Sequence, residues 1–263
     1  MKVFITGASS GIGQALATEY AKRYPGTSTI IGLAARRSEH LQVLQTTLQN
    51  SYQVTCLTYP LDVRDHGALT NSATDFIQQY GAPDIVIANA GVSSGTHTEQ
   101  AADTSTFQAI MDINVMGLVH TFQPFIKAMR AQGHGQLVGI ASVAGIRGLP
   151  GAGAYSASKA AAISYLESLR VEMAPLNIAV TTIAPGYIRT PMTDVNQYKM
   201  PFLMDTNIAA EKFVDAIVRK RRFVVIPWQM GVVARLMKLI PPVLWDWAMK
   251  KAPHKPKLDW DWL

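Results

Sequence analysis

Two rhythms of apolar residues alternate along this chain. Short runs rich in β-branched residues lie near positions 3–6, 29–35, 53–59, 85–89, 136–142, 179–184 and 223–226. Between them come longer stretches whose apolar positions recur every three or four residues. The runs read as strands and the stretches as helices, and their alternation predicts βαβ units around a parallel sheet. The stretch that begins near Phe107 carries Ile110, Met111, Val115, Leu118, Phe122, Phe125, Ile126 and Met129 on one side, a stripe that belongs to the core. Right-handed crossovers wind such a chain into an α/β, doubly wound, seven-stranded parallel sheet flanked by helices. A fold of this kind holds its ligands outside the carboxyl ends of the strands, at the switch point. Residues 1–227 read as one domain, and residues 228–263, where proline and tryptophan become dense, as a C-terminal helical tail.

Composition narrows the class. With 48% hydrophobic and 16% charged residues, the chain can fill a large core and lacks the character of a disordered one. The lone cysteine, Cys56, excludes an internal disulfide and a cysteine-based metal cluster and fits a reducing compartment, so a cytoplasmic protein is expected. Met1-Lys2 leads directly into an apolar run and a glycine turn, which predicts no cleaved signal, and no stretch is apolar for long enough to span a membrane. The net charge of +6 is spread along the chain without base-stacking aromatics among the cations, so nucleic acid is not an expected partner. His97, His120 and His134 lack ligand spacing, and no metal is expected.

The candidate chemistry begins where the first strand runs into Thr6-Gly7-Ala8-Ser9-Ser10-Gly11-Ile12-Gly13. Glycines at such a point let the backbone turn sharply and approach a ligand, and the amides of the following helix start favour a pyrophosphate. The spacing is G-x-x-x-G-x-G, which departs from the common G-x-G-x-x-G. This loop resembles the TGxxxGIG turn of the short-chain dehydrogenase/reductase family, and the resemblance extends over residues 2–227. Asp62-Val63 is similar to the family's adenine-contacting pair, and Asn89-Ala90-Gly91 to its NAG motif. Pro185-Gly186, with Ile188 and Thr190, is similar to the loop that flanks the nicotinamide amide. Ala88 stands where the family usually has a second asparagine, which removes one supporting hydrogen bond. The resemblance implies a Rossmann-type fold whose nicotinamide dinucleotide is held by these segments, with Gly7, Ser9, Ser10, Gly11, Ile12 and Gly13 at the phosphates.

The end of the second strand bears on which dinucleotide. NAD-binding sheets of this type place an acidic residue there to accept from the ribose 2′-hydroxyl, whereas this chain reads Ala34-Ala35-Arg36-Arg37. A guanidinium at that place pairs with a 2′-phosphate, so NADP(H) is the expected cofactor.

Tyr155-Ser156-Ala157-Ser158-Lys159 lies on a helical pattern, and residues four apart share a face, so the phenol and the ammonium can serve one site. Nine tyrosines and twelve lysines in 263 residues give about 0.4 chance occurrences of this spacing, so the pair alone decides nothing. Ser142, thirteen residues earlier, and Asn114 on the preceding helix complete what resembles the family's Asn, Ser, Tyr and Lys tetrad. A free phenol titrates near about 10, so base action near neutrality needs help worth roughly three units, which Lys159 and an oxidised nicotinamide ring would supply as cations. In that scheme Tyr155 exchanges the proton and Ser142 holds the substrate oxygen. By resemblance, Lys159 also binds the ribose and Asn114 positions a water.

Residues 187–207 hold Met192, Tyr198, Met200, Phe202, Leu203 and Met204, which by resemblance form a mobile lid; flexible methionines suit an adaptable apolar pocket. Ala144, Ile146, Leu149 and Ala152 complete the expected wall, with Arg147 and Arg189 as candidate anchors for an acidic substrate. The tail carries all five tryptophans and six lysines and arginines against three aspartates, half of the chain's net charge. Met230, Val233, Met237 and Ile240 line one helical face before Pro241-Pro242 breaks it, and such a segment suits its own domain, a partner subunit or a membrane surface. The family also implies a homodimer or homotetramer. The expected function is NADP(H)-dependent interconversion of a ketone or aldehyde and an alcohol on a hydrophobic small-molecule or lipid-like substrate. An idle NADP-binding regulator, and an epimerase or dehydratase using the same Tyr155 and Lys159, are the alternatives.

Overall fold

Successive side chains of the first strand point into two different apolar layers. In β1 (Lys2–Thr6), Val3 and Ile5 join one buried cluster and Phe4 the other, as the two-residue period of a strand requires. The chain continues through α1 (Gly11–Arg23), β2 (Ile30–Ala35), α2 (Ser38–Tyr52), β3 (Thr55–Pro60), α3 (His66–Tyr80), β4 (Ile85–Ala88), α4 (Asp103–Met111), α5 (Gly117–Gln132) and β5 (Gly135–Ile140). It then forms α6 (Gly153–Met173), β6 (Ile178–Pro185), α7 (Pro191–Asp194), α8 (Thr206–Val218), β7 (Phe223–Ile226), α9 (Trp228–Leu239) and α10 (Pro242–Met249). The computed structural model describes residues 1–258 and 260. Asp259, Asp261, Trp262 and Leu263, which contribute to the tail composition above, lie outside the described residues.

All seven strands pair in parallel in the order β3-β2-β1-β4-β5-β6-β7, the doubly wound sheet expected from the alternation of elements. One face is covered around Leu16, Tyr20, Leu41, Leu48, Phe213 and Ile217, from α1, α2 and α8. The other is covered around Phe76, Phe122, Phe125, Met129 and Leu166, from α3, α5 and α6. The order reverses between β1 and β4, which opens the crevice where the site forms.

Three boundaries differ from the sequence reading by two residues or more. Gln53 takes a left-handed backbone (φ 60°) and ends α2, so the third strand starts at Thr55. β5 stops at Ile140, and Ser142 caps a single tight turn over Val143–Gly145. The helix expected from Phe107 begins at Asp103 and is interrupted by a π-helical turn over Asp112–Met116 before α5 resumes. Such a turn inserts a residue into the helical register without a change in the apolar rhythm, and it carries Asn114.

The tail divides in two. Met230 and Ala234 of α9 are buried, Val233 and Met237 half-buried, and that side of the helix lies on the domain. The opposite side leaves Trp228, Val232, Leu236 and Leu239 exposed, and Val243, Leu244 and Trp247 of α10 are exposed as well. No helix among the described residues is long and apolar enough to cross a membrane.

Candidate active site

The glycine turn after β1 has no room for side chains. Gly7 and Gly11 adopt positive φ (67° and 55°), and a Cβ on Gly7 would lie 2.8 Å from Ala90 Cα. Gly13 packs under the turn, where a Cβ would meet Gly7 O at 2.2 Å and Asn89 Nδ2 at 2.5 Å. Asn89 fastens the turn from β4, its Nδ2 donating to Thr6 O and Gly7 O at 3.1 Å each. Ser10 precedes α1 without capping it, and no acidic residue occupies the first helical turn. The first amides of α1 are therefore left for an anion, a donor set that fits the pyrophosphate of a dinucleotide.

A cleft opens beside this turn, lined by Gly7, Ser9, Ser10, Gly11, Ile12, Arg36, Arg37, Asp62, Val63, Asn89, Ala90 and Gly91. It continues past Ser142, Tyr155 and Lys159 to Pro185, Gly186, Ile188 and Thr190. Of the residues expected to bind the cofactor or act in catalysis, Gly13 and Asn114 stand behind this surface instead of on it. At the far end, Arg37 reaches back to the turn, donating from Nη2 to Ser9 Oγ (3.0 Å) and Ser10 Oγ (2.7 Å). Asp62 is held by Arg64 through Nε (3.1 Å) and Nη2 (2.8 Å), with the Arg64 backbone N–H on its other oxygen at 2.9 Å. Burial works to raise the Asp62 carboxyl, but these Arg64 bonds outweigh it and hold the group below its usual range. Burial lowers the Arg36 guanidinium, opposed by attraction to Asp62 and assisted by repulsion from Arg64 and Arg37. Two guanidiniums, those of Arg64 and Arg36, thus act on one carboxylate, while Arg37 turns to the glycine loop. Arg64 was not singled out by the sequence reading, although its position two residues after Asp62 was available as a signal.

The other end of the cleft is built by the helix-turn register around α6. Gly145 lets the turn after Ser142 press against that helix, since a Cβ there would lie 2.5 Å from the Lys159 carbonyl carbon. Thr96 Oγ1 accepts from Ala154 N–H at 3.4 Å in the first turn of α6. Tyr155 is partly exposed at the cleft wall, which Ser142 also lines. Lys159, buried one turn deeper, donates to Ile140 O at 2.9 Å and lies 5.8 Å from the centre of the Tyr155 ring.

Asn114 acts from behind. Its Oδ1 accepts from Val92 N–H at 2.8 Å, and its Nδ2 donates to Val92 O (3.0 Å) and Ser158 Oγ (2.9 Å); Ser158 in turn donates to Tyr155 O at 2.8 Å. Both amide protons are used, so only the second lone pair of Oδ1 remains for a water. Gly91 leaves that side open: a Cβ there would fall 3.2 Å from Asn114 Oδ1 and 3.4 Å from Lys159 Nζ. Ser158, unnoticed in the sequence between Tyr155 and Lys159, joins the two helices.

Desolvation dominates the electrostatics. Burial pushes the Tyr155 phenol above its ordinary value, with the Ser142 hydroxyl acting the other way. Burial lowers the Lys159 ammonium to about 8. The depression of the phenol expected from Lys159 is thus not a property of these side chains alone, because the same burial that brings the ammonium close also disfavours phenolate.

The lid is pinched at its base, where Arg189 N–H donates to Met204 O (2.9 Å) and Met204 N–H to Tyr187 O (3.0 Å). Thr190 and Thr193 cap α7 reciprocally, and Met192 faces the cleft. Tyr198 packs edge-on to Tyr187 with ring centres 6.3 Å apart, and its hydroxyl is pushed up to about 12, chiefly by burial and then by Tyr187 and Tyr155 nearby. Phe202 points outward and is exposed. Neither arginine considered as an acidic-substrate anchor serves as one. Arg147 donates to Met237 O (2.7 Å) and Ile240 O (2.6 Å) at the end of α9 and stacks 4.6 Å over Trp245, so it clamps the tail. Arg189 is exposed and pairs with Asp205 at 3.0 Å. Ile146 and Leu149 line a separate recess with Trp245 and Met249, away from the cleft.

Comparison with known proteins settles the lineage. Residues 1–200 match the short chain dehydrogenase family. The chain belongs to that family. An uncharacterized oxidoreductase of Myxococcus xanthus is 38% identical over 247 residues, covering 94% of this chain and 95% of its relative. L-sorbose reductase from Gluconobacter frateurii, solved with NADPH and L-sorbose, superposes with a TM-score of 0.73 at 28% identity, covering 82% of this chain and 89% of that one. A short chain dehydrogenase/reductase from Burkholderia phymatum, solved with NAD, matches with a TM-score of 0.78 at 22% identity over 98% and 97% of the two chains, a likeness of fold. This short chain dehydrogenase is accordingly an oxidoreductase with a Rossmann-like sheet that binds a nicotinamide cofactor, in a family that acts on small-molecule carbonyls and alcohols.

Proposed function

We propose that this short chain dehydrogenase interconverts a ketone or aldehyde and an alcohol on an apolar, lipid-like small molecule, with NADP(H). The observation that carries the reading is the convergence of Ser142 and Tyr155 on one cleft wall, with the Lys159 ammonium buried behind them and donating to Ile140 O. The two hydroxyls form a pair of donors for one substrate oxygen. Tyr155, kept protonated by its burial, gives its proton to that oxygen as the carbonyl is reduced and takes it back in the reverse direction. Lys159 steadies the transient phenolate, and a water in the gap beside Gly91, between Asn114 Oδ1 and Lys159 Nζ, connects the site to solvent. When bound, the nicotinamide cofactor supplies or accepts the hydride. The first amides of α1 hold its pyrophosphate, the Asn89-Ala90-Gly91 and Pro185–Thr190 segments flank it, and Arg36 and Arg37 receive the 2′-phosphate. The preference for NADP(H) is supported by Arg36 beside Asp62, whose charge Arg64 already neutralises, and by Arg37 at the glycine turn.

Nicotinamide absorbance, followed with a panel of aliphatic and aromatic ketones and each dinucleotide in turn, tests the assignment. Turnover with NADPH is expected to exceed that with NADH, and Tyr155→Phe is expected to lose about 10²–10⁴-fold in kcat. Near wild-type rates from Tyr155→Phe would remove the mechanism, and cofactor binding without turnover on any carbonyl would favour the idle regulator.

The outer face of α9 and α10 supports a second reading, contact with an anionic membrane surface. Trp228, Val232, Leu236, Leu239, Val243, Leu244 and Trp247 are exposed there among Arg235, Lys238, Lys250 and Lys251, with Asp246 as the one acidic residue from 228 to 258.

A further inference from the structure

Beyond α10 the chain turns back toward the cleft. Gly95 N–H donates to Pro256 O at 3.0 Å and Leu258 N–H to Ser94 Oγ at 2.9 Å, so the tail runs beside the segment that follows the Asn89-Ala90-Gly91 turn. Two glycines make room for it: a Cβ on Gly95 would meet Lys255 O at 2.2 Å, and one on Gly151 would meet His254 Cβ at 2.6 Å. Lys257 anchors the run on Asp103 at 2.6 Å and on Gln100. This strap lies between the 94–97 segment and the lid. From it Lys255 reaches across to the lid, where its ammonium makes a long hydrogen bond of 3.5 Å to the carbonyl of Met192, whose residue faces the cleft.

Lys255 has no counterion among the described residues. Among the described residues no carboxylate lies within ion-pair distance of it, and its neighbour Lys257 takes Asp103. Burial lowers its ammonium to about 8. A half-buried cation with one long bond to a neutral carbonyl is held at a cost, and an anion from outside the protein would relieve it. The sequence offered Arg147 and Arg189 as candidates for that role, and both are turned to other partners.

We propose that Lys255, carried in by the C-terminal strap, is a specificity-determining residue that selects carbonyl substrates bearing an anionic group, a carboxylate or phosphate, at a distance from the reacting carbon. This rests on the carbonyl-reductase reading above and adds the substrate class: an apolar body held by the lid with an anionic end toward the strap.

The test compares matched pairs, a keto acid of an aliphatic or aromatic scaffold and its methyl ester, with NADPH and the full-length protein. The wild type is expected to prefer the acid through KM. Lys255→Met is expected to raise KM for the acid by about tenfold to a hundredfold, leaving kcat and the ester unchanged, and Lys255→Arg to retain most of the preference. Equal losses on acid and ester from Lys255→Met would make Lys255 a latch between strap and lid and overturn the proposal. So would a wild type that favours the ester, a measurement that needs no variant. Absence of turnover on both members of every pair would instead strike the carbonyl-reductase reading itself, which keeps the two failures apart.

Discussion

Lys159 shows how a single side chain is placed against its own solvation. The residue is 5% exposed and its ammonium donates to one backbone carbonyl, so its protonated form is disfavoured in the fold relative to the unfolded chain. With the folded value lowered to about 8 from an ordinary 10.5, the unfolded chain binds the proton more tightly between those limits. The penalty on stability is therefore complete below about pH 8 and disappears as pH rises toward 10.5. Lys159→Met is expected to unfold at higher denaturant than the wild type at pH 7 while losing activity, and the gap is expected to close across that alkaline window. Urea midpoints of the two proteins at several pH values check this; a gap independent of pH would contradict it. The ammonium is retained where stability would be better served by a methyl group, a pattern expected of a residue kept for chemistry.

At the scale of elements, the π-helical turn between α4 and α5 matters most. It swings Asn114 toward Val92 and α6, so that one carboxamide ties the segment after β4 to the backbone of Tyr155 through Ser158. Asn114→Ala would leave the Val92 N–H and C=O and the Ser158 hydroxyl short of partners. A loss of about 1–3 kcal/mol in stability is expected for buried polar groups left in that state. Denaturant unfolding reads this loss, and kcat is expected to fall further than KM rises because Tyr155 loses its support. Unchanged stability would mean that water satisfies the vacated groups. The tight turn after β5 works in the same way: Gly145 is needed for close approach to α6, and that approach brings Ser142 to Tyr155.

At the scale of the whole molecule, the tail joins regions that the sheet alone leaves apart. α9 lies against the Pro185-Gly186 loop, where a Cβ on Gly186 would meet Met230 Cγ at 2.6 Å, and the strap lies beside Ser94 and Gly95, after the Asn89-Ala90-Gly91 turn. The inner side of α9 is thereby used within the chain, while its outer row faces outward. Vesicles containing anionic lipid are expected to sediment the full-length protein, less so at high salt, and Leu236→Glu combined with Trp247→Glu is expected to release it. Equal sedimentation of the variant would exclude this face. Loss of a dimer by the variant in the absence of vesicles would assign the row to a second copy instead.

The sheet was legible because strands buried on both faces and helices buried on one leave different apolar periods, and both periods are local properties of the chain. The glycine turn and the Tyr155 to Lys159 spacing were legible for the same reason, since backbone freedom and a shared helical face are fixed within a few residues. Other features depend on contacts between residues far apart in the chain. The π-helical turn keeps an ordinary apolar rhythm, Ser158 acquires its role only when Asn114 arrives from another helix, and Arg147 looks like a substrate anchor until α9 ends against it. Sequence thus determined the architecture and the chemical groups at the crevice. Tertiary structure decided which charges remain without partners there, because solvation and pairing depend on neighbours that only the folded chain assembles.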